Sequence, residues 1–143
     1  MLELEHSITI NRPVEEVYAF VTNPDNATKW RVGLLEAKKI TEGPLAKGSI
    51  IEEKVNVLGR TLKAKQEITE FIPNKKRQFR IQLGPLPIRL EEAYEEISLG
   101  TRLNVSGTTE LTGAQRMLNR VVLGQVKKQL AQELANIKKV LES

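Results

Sequence analysis

The chain contains no cysteine and only one histidine, His6. The first absence excludes disulfides, thiol catalysis and thiolate zinc sites. The second excludes a metal site built from several imidazoles and leaves a Ser-His-Asp triad resting on one residue. Aromatic residues make up 4% of the chain, and Tyr18, Phe20, Phe71 and Phe79 fall inside apolar patterns. The stacking aromatics that nucleic-acid binders interleave with basic charge are therefore missing. No apolar run approaches the ~18 residues of a membrane span. Phosphate loops are missing too, because Lys47-Gly48-Ser49 stands where a Walker loop needs Gly-Lys-Ser/Thr. There is no Gly-x-Ser-x-Gly elbow and no carboxylate set at calcium-loop spacing. These absences predict no metal, no cofactor and no nucleic-acid partner.

The 143 residues suffice for one domain with a real core. No linker, repeat or composition break divides them, so a single domain over 1–143 is expected. Net charge is +4. Its carriers come in pairs such as Lys38-Lys39, Lys127-Lys128 and Lys138-Lys139, interleaved with acidic residues, which describes a mixed-charge solvated surface. The opening Met1-Leu2-Glu3-Leu4-Glu5 is acidic and alternating, unlike a signal peptide. A cytoplasmic protein is expected, so Asn26-Ala27-Thr28 and Asn104-Val105-Ser106 are not read as glycosylation sites.

Leu2, Leu4, His6, Ile8 and Ile10 alternate with polar residues, the pattern of a strand with one buried face. Pro13 opens a short helix with Val14, Val17, Tyr18 and Val21 on its apolar side. Asn23-Pro24-Asp25 ends it and begins a second short turn reaching Trp30. A strand follows at Leu34 to Ile40, then long strands joined by tight turns. Gly59-Arg60 suits a two-residue hairpin turn with glycine first, which would pair Val57 with Leu62, Val55 with Ala64 and Glu53 with Gln66. The same reasoning pairs Glu92 with Gly107 and Tyr94 with Val105. From Gly113 to Glu142 one long helix is expected, with Thr112 and Gln115 as a capping box. Leu123, Val126, Leu130, Leu134, Ile137 and Leu141 make its buried stripe, with Glu133 off that stripe or at its edge. Ala114, Met117, Leu118 and Val121 form a stripe on the opposite side. A straight helix cannot bury both stripes in one sheet. A bend near Gly124 is the preferred resolution; the other is exposure of the first stripe at a dimer or membrane surface. Clustered, hairpin-linked strands and a covering helix define an antiparallel α+β domain.

The ordered set Glu5 to Tyr18 with its Pro13-Val14-Glu15-Glu16-Val17-Tyr18 step, Asn23-Pro24-Asp25 with Trp30, Gly43 to Gly48, Gly100-Thr101-Arg102-Leu103 and Leu134 to Glu142 resembles the SRPBCC (START-like, Bet v-like) superfamily. More narrowly, it resembles the polyketide cyclase/dehydrase and lipid transport group. The resemblance implies a helix-grip fold, a curved seven-stranded antiparallel sheet wrapped around the last helix with a cavity between them. It also implies a small hydrophobic ligand such as a lipid, quinone or polyketide. It carries no catalytic residue across, because those vary between subfamilies.

Polar residues on the inward face are the candidates for chemistry: Glu92, Tyr94, Glu53, Gln66, His6 and Thr109, with Arg77 a further one and Trp30 at the rim. Buried ionisable groups are costly unless paired, so they imply a wet cavity or an internal network. In a binder they orient an apolar ligand. In a cyclase or dehydratase, Glu53 or Glu92 would act as base and Tyr94 or His6 as donor, provided they converge. The plainer alternatives are carboxylates reaching solvent, a core histidine and a tryptophan plugging the core. Gly107 is expected to leave space in the cavity. Met117, Leu118 and Val121 are candidates for the cavity mouth or for a contact, in a monomer or a homodimer. Three functions are thus open: binder or carrier, cyclase/dehydratase-like enzyme, or a module that dimerises through the first half of the last helix.

Overall fold

A computed structural model describes residues 2–110, 113 and 116–143. Its elements are β1 (Leu2–Ile10), α1 (Val14–Thr22), a 3-10 turn (Pro24–Asn26), α2 (Ala27–Trp30), β2 (Leu34–Lys39), β3 (Ile50–Val57), β4 (Arg60–Ile72), β5 (Lys76–Leu83), β6 (Leu86–Ile97), β7 (Gly100–Thr109) and α3 (Arg116–Glu142). The seven strands form one antiparallel sheet in the order β1-β7-β6-β5-β4-β3-β2. Successive hairpins build β3 to β7, and β1 then pairs with β7. This is the expected helix-grip architecture. Register shifts lie between Leu34 and Glu36 and between Ile68 and Glu70. Such bulges bend a strand and sharpen its twist, which curves the 13-residue β4.

Two apolar clusters grip α3. Ile10, Val14, Val17, Tyr18, Leu103, Leu134 and Ile137 pack at its C-terminal half, and Leu4, Val55, Val57, Leu83, Leu86 and Leu123 at its N-terminal half. Each fully buried Leu or Ile contributes about 1.5–3 kcal/mol. The C-terminal end is also tied to β1, where the Asn11 backbone N–H donates to Glu142 Oε2 at 2.8 Å and Lys138 Nζ donates to the Thr9 carbonyl at 2.6 Å.

Several expectations are corrected in detail. The β3–β4 turn is Leu58-Gly59, with φ of 55° and 77°, because both central residues take the left-handed conformation of a I′ turn. Val57 therefore faces Arg60, Val55 faces Leu62 and Glu53 faces Ala64. The β6–β7 register is likewise displaced by two, so Glu92 faces Val105 and Tyr94 faces Leu103. A displacement of two preserves every side chain's face. Gly107 does not open the cavity. A Cβ there would lie 2.7 Å from the Arg89 carbonyl oxygen, so the glycine permits close backbone approach. Among the described residues the last helix spans Arg116–Glu142 and excludes Gly113, whose φ is 80°, and it runs unbroken through Gly124. It does not bury the first stripe: Asn119 and Leu123 turn inward while Met117, Leu118 and Val121 are exposed. Leu111, Thr112, Ala114 and Gln115, and with them the capping box, lie outside the described residues.

A leucine held at positive φ costs about 1–2 kcal/mol against an ordinary conformation. Leu58→Asn creates the Asn-Gly pair that I′ turns favour, and Leu58 is already exposed. The variant should melt about 3 °C higher in calorimetry. An unchanged or lower Tm would show that the turn is not strained.

Candidate functional site

Strand alternation sends Glu53 of β3, Gln66 of β4, Arg77 of β5 and Glu92 of β6 to the same concave face. Between this face and the middle of α3 lies a cavity of about 230 Å³. Its walls are mostly aliphatic, with Val126, Leu130 and Leu134 from α3, Trp30 and Ala27 from α2, and Leu45 from the loop before β3.

Its charged groups form two networks. In the first, Arg31 donates from both Nη atoms to the Glu53 carboxylate at 3.0 and 3.1 Å. Gln66 Nε2 donates to Glu53 Oε1 at 3.0 Å. Arg31 Nε reaches Glu133 Oε2 at 3.3 Å, and the Val32 N–H donates to the same oxygen at 2.9 Å. In the second, Arg77 grips Glu92 in bidentate fashion at 2.8 and 3.1 Å, and Tyr94 Oη donates to Glu92 Oε1 at 3.0 Å. The Arg77 guanidinium also stacks 4.9 Å from the Phe79 ring centre. Tyr18 packs edge-on against Tyr94 at 5.0 Å. Paired charge of this kind is what keeps ions tolerable in an apolar interior.

The electrostatics follow from burial. Burial works against the charge on each guanidinium, but Glu53 and Glu133 outweigh it at Arg31, and Glu92 does so at Arg77, so both pKa values rise. Tyr94 is pushed well above its ordinary value by burial and then by Glu92. Glu133 is raised above the usual carboxylate range by burial, against the opposing pull of Arg31 and the Val32 N–H.

Of the residues singled out from the sequence, Glu53, Gln66, Arg77, Glu92 and Trp30 line the cavity. Tyr94 stands behind Glu92. His6 is half-buried on β1 opposite Val105, outside the lining. Thr109 is buried near the far end of β7, where its hydroxyl donates to the Pro87 carbonyl. Glu53 and Glu92 thus belong to separate networks. Met117, Leu118 and Val121 do not line the cavity. Two residues that sequence reasoning missed are central. Glu133, placed by the sequence off the buried stripe or at its edge, lines the cavity, and its position three residues after Leu130 and four before Ile137 was the available signal. Arg31 carried no such signal, since it sits just after a four-residue helix. Among the described residues no cluster suits a metal ion.

With this architecture in place, the chain matches the family model described as polyketide cyclase/dehydrase and lipid transport over residues 1–142, and it belongs to that family. No curated protein matches it. Solved structures share the fold at low identity. The Zhui aromatase/cyclase from Streptomyces sp. R1128 superposes with a TM-score of 0.80 at 13% identity, over 99% of this chain and 93% of that one. Ara h 8.0201 gives 0.77 at 16%, over 99% and 97%. The Aha1 dimer from Colwellia psychrerythraea gives 0.71 at 20%, also over 99% and 97%.

Removing one partner of a buried ion pair leaves the other uncompensated. Arg77→Met should lower the urea unfolding free energy by about 3–5 kcal/mol. Adding Glu92→Leu should restore part of that loss, and a double variant no more stable than the single one would refute the pairing.

Glu133 yields a pH dependence. Its folded pKa is raised, so its stabilising contribution is fully present below the ordinary carboxylate value and is lost as pH rises through the folded value. Glu133→Gln keeps both acceptor contacts and removes this titration. Between about pH 4 and about pH 7 the Tm of the variant should gain on that of the wild type. A constant difference across that range would refute the assignment.

Proposed function

We propose that the protein binds and carries a small, mostly apolar, uncharged molecule in the cavity between the sheet and α3. One observation carries this reading: the cavity is aliphatic, and its charged side chains are already spent on one another. A catalytic base has to be free to take a proton in the bound complex, whereas Glu53 and Glu92 are each held by a bidentate guanidinium. The volume of about 230 Å³ lies just below the ~300–1,000 Å³ of drug-sized sites. It suits a molecule of one or two rings, or a short chain.

Charge selects among ligands. Three carboxylates, Glu53, Glu92 and Glu133, face two guanidiniums, Arg31 and Arg77. A ligand that brought a further carboxylate would add uncompensated negative charge in a low-dielectric space. A ketone, quinone or ester meets no such penalty.

A cyclase- or dehydratase-like activity is the second reading. It draws on the fold shared with the Zhui aromatase/cyclase and on Glu133. A carboxyl group with its pKa raised by burial has the character of a proton donor.

Titration calorimetry with two matched probes separates these points. At neutral pH 1-acetonaphthone should bind at least about tenfold more tightly than 1-naphthoate, and Glu133→Gln should narrow that gap. Leu130→Trp, which fills the cavity, should abolish binding of the ketone. Equal affinity for both probes would refute the charge selection. Unaltered binding in the filled variant would refute the cavity as the site.

A further inference from the structure

The first half of α3 carries basic charge with no acidic residue among it. Between Glu110 and Glu133 the sequence has no acidic residue, yet it holds Arg116, Arg120, Lys127 and Lys128. The same stretch displays Met117, Leu118 and Val121 at 72%, 43% and 56% exposure. Met117 is the most exposed large apolar side chain among the described residues.

We propose that residues 116–128 of α3 form a docking surface for an anionic lipid bilayer. At 100° per residue, Arg116, Arg120 and Lys127 make a row beside Met117 and Val121, and Lys128 lies between the two apolar residues. Asn119, Val122 and Val126 lie on the side opposite Met117 and Val121, and with Leu123 they turn toward the fold. An exposed face that combines a basic row with large apolar side chains suits the boundary of headgroups and acyl chains. There the cations meet lipid phosphates and the apolar side chains enter the hydrocarbon edge. The attachment is superficial, because no described helix is long and apolar enough to cross a membrane.

The nearest acidic residue downstream does not neutralise the row. Glu133 faces the cavity and is bound to Arg31 and the Val32 N–H. A second copy of the chain is a poorer occupant. A twofold contact through this face would set four cations against four. Nucleic acid would satisfy the cations and leave Met117, Leu118 and Val121 without a partner.

Flotation of the full chain with phosphatidylglycerol–phosphatidylcholine vesicles tests this surface. Binding should fall by about fivefold for each charge removed in Arg116→Gln with Arg120→Gln. It should also weaken between about 0.05 and 0.5 M NaCl and be lost on pure phosphatidylcholine. Met117→Ser with Leu118→Ser and Val121→Ser should abolish it while leaving the Tm unchanged. Lys38→Gln with Lys75→Gln removes the same charge from exposed residues elsewhere and should leave binding unchanged. Equal loss in that control, or equal binding to both vesicle types, would overturn the proposal. So would a dimer in analytical ultracentrifugation that the triple serine variant dissolves.

Discussion

Charge withdrawn from water must meet its opposite within a few ångströms, and much of this molecule is arranged to satisfy that demand twice. Arg77 and Glu92 meet directly across β5 and β6. Arg31 has no strand to place it. The 3-10 turn and α2 carry it over the open side of the sheet until its guanidinium reaches Glu53 on β3 and Glu133 on α3. One arginine thereby joins the sheet, the short helices and the long helix. Asn136 adds a neutral tie from α3 to the Trp30 carbonyl at 3.1 Å. The cavity is the space left between these ties and the two apolar clusters at either end of α3.

The long helix accordingly has two kinds of surface. From Val126 onward its inner side packs, lines the cavity and bonds to its neighbours. Before that, only Asn119, Val122 and Leu123 turn inward, and the outer side carries apolar and basic groups together. A single amphipathic pattern cannot describe both halves, because the apolar stripe moves around the helix near Gly124. The helix meets this without bending, by leaving the first stripe in the open.

The fold was legible because period-two alternation survives errors of two. Misplacing the β3–β4 turn by one residue displaced the register by two positions, and every inward residue stayed inward. The turn was misread because glycine in the first position suggests one turn type, while Leu58 accepts a conformation that leucine rarely adopts. The strand side of the site was legible for the same reason, since a glutamate in an apolar alternation stands out. The helix side was less so. Glu133 was set aside as polar although its spacing to Leu130 and Ile137 places it among buried residues. Arg31 was invisible, because four residues of helix have no periodicity to read. Gly107 was taken for empty space when the chain needed a close backbone approach.

Solved structures at 13–20% identity share this fold. Alternation and turn placement constrain residue class more than residue identity, so a fold tolerates such sequence distance. Site chemistry has no such tolerance. Replacing Glu133 with leucine would suit the helix stripe as well or better, and would remove one of the two carboxylates that hold Arg31. The two ion networks rest on particular side chains that the architecture alone does not supply. The carboxylates lining the cavity lie inward of α3, and Arg116, Arg120, Lys127 and Lys128 lie on its exposed side, so the two groups of charge share no residue.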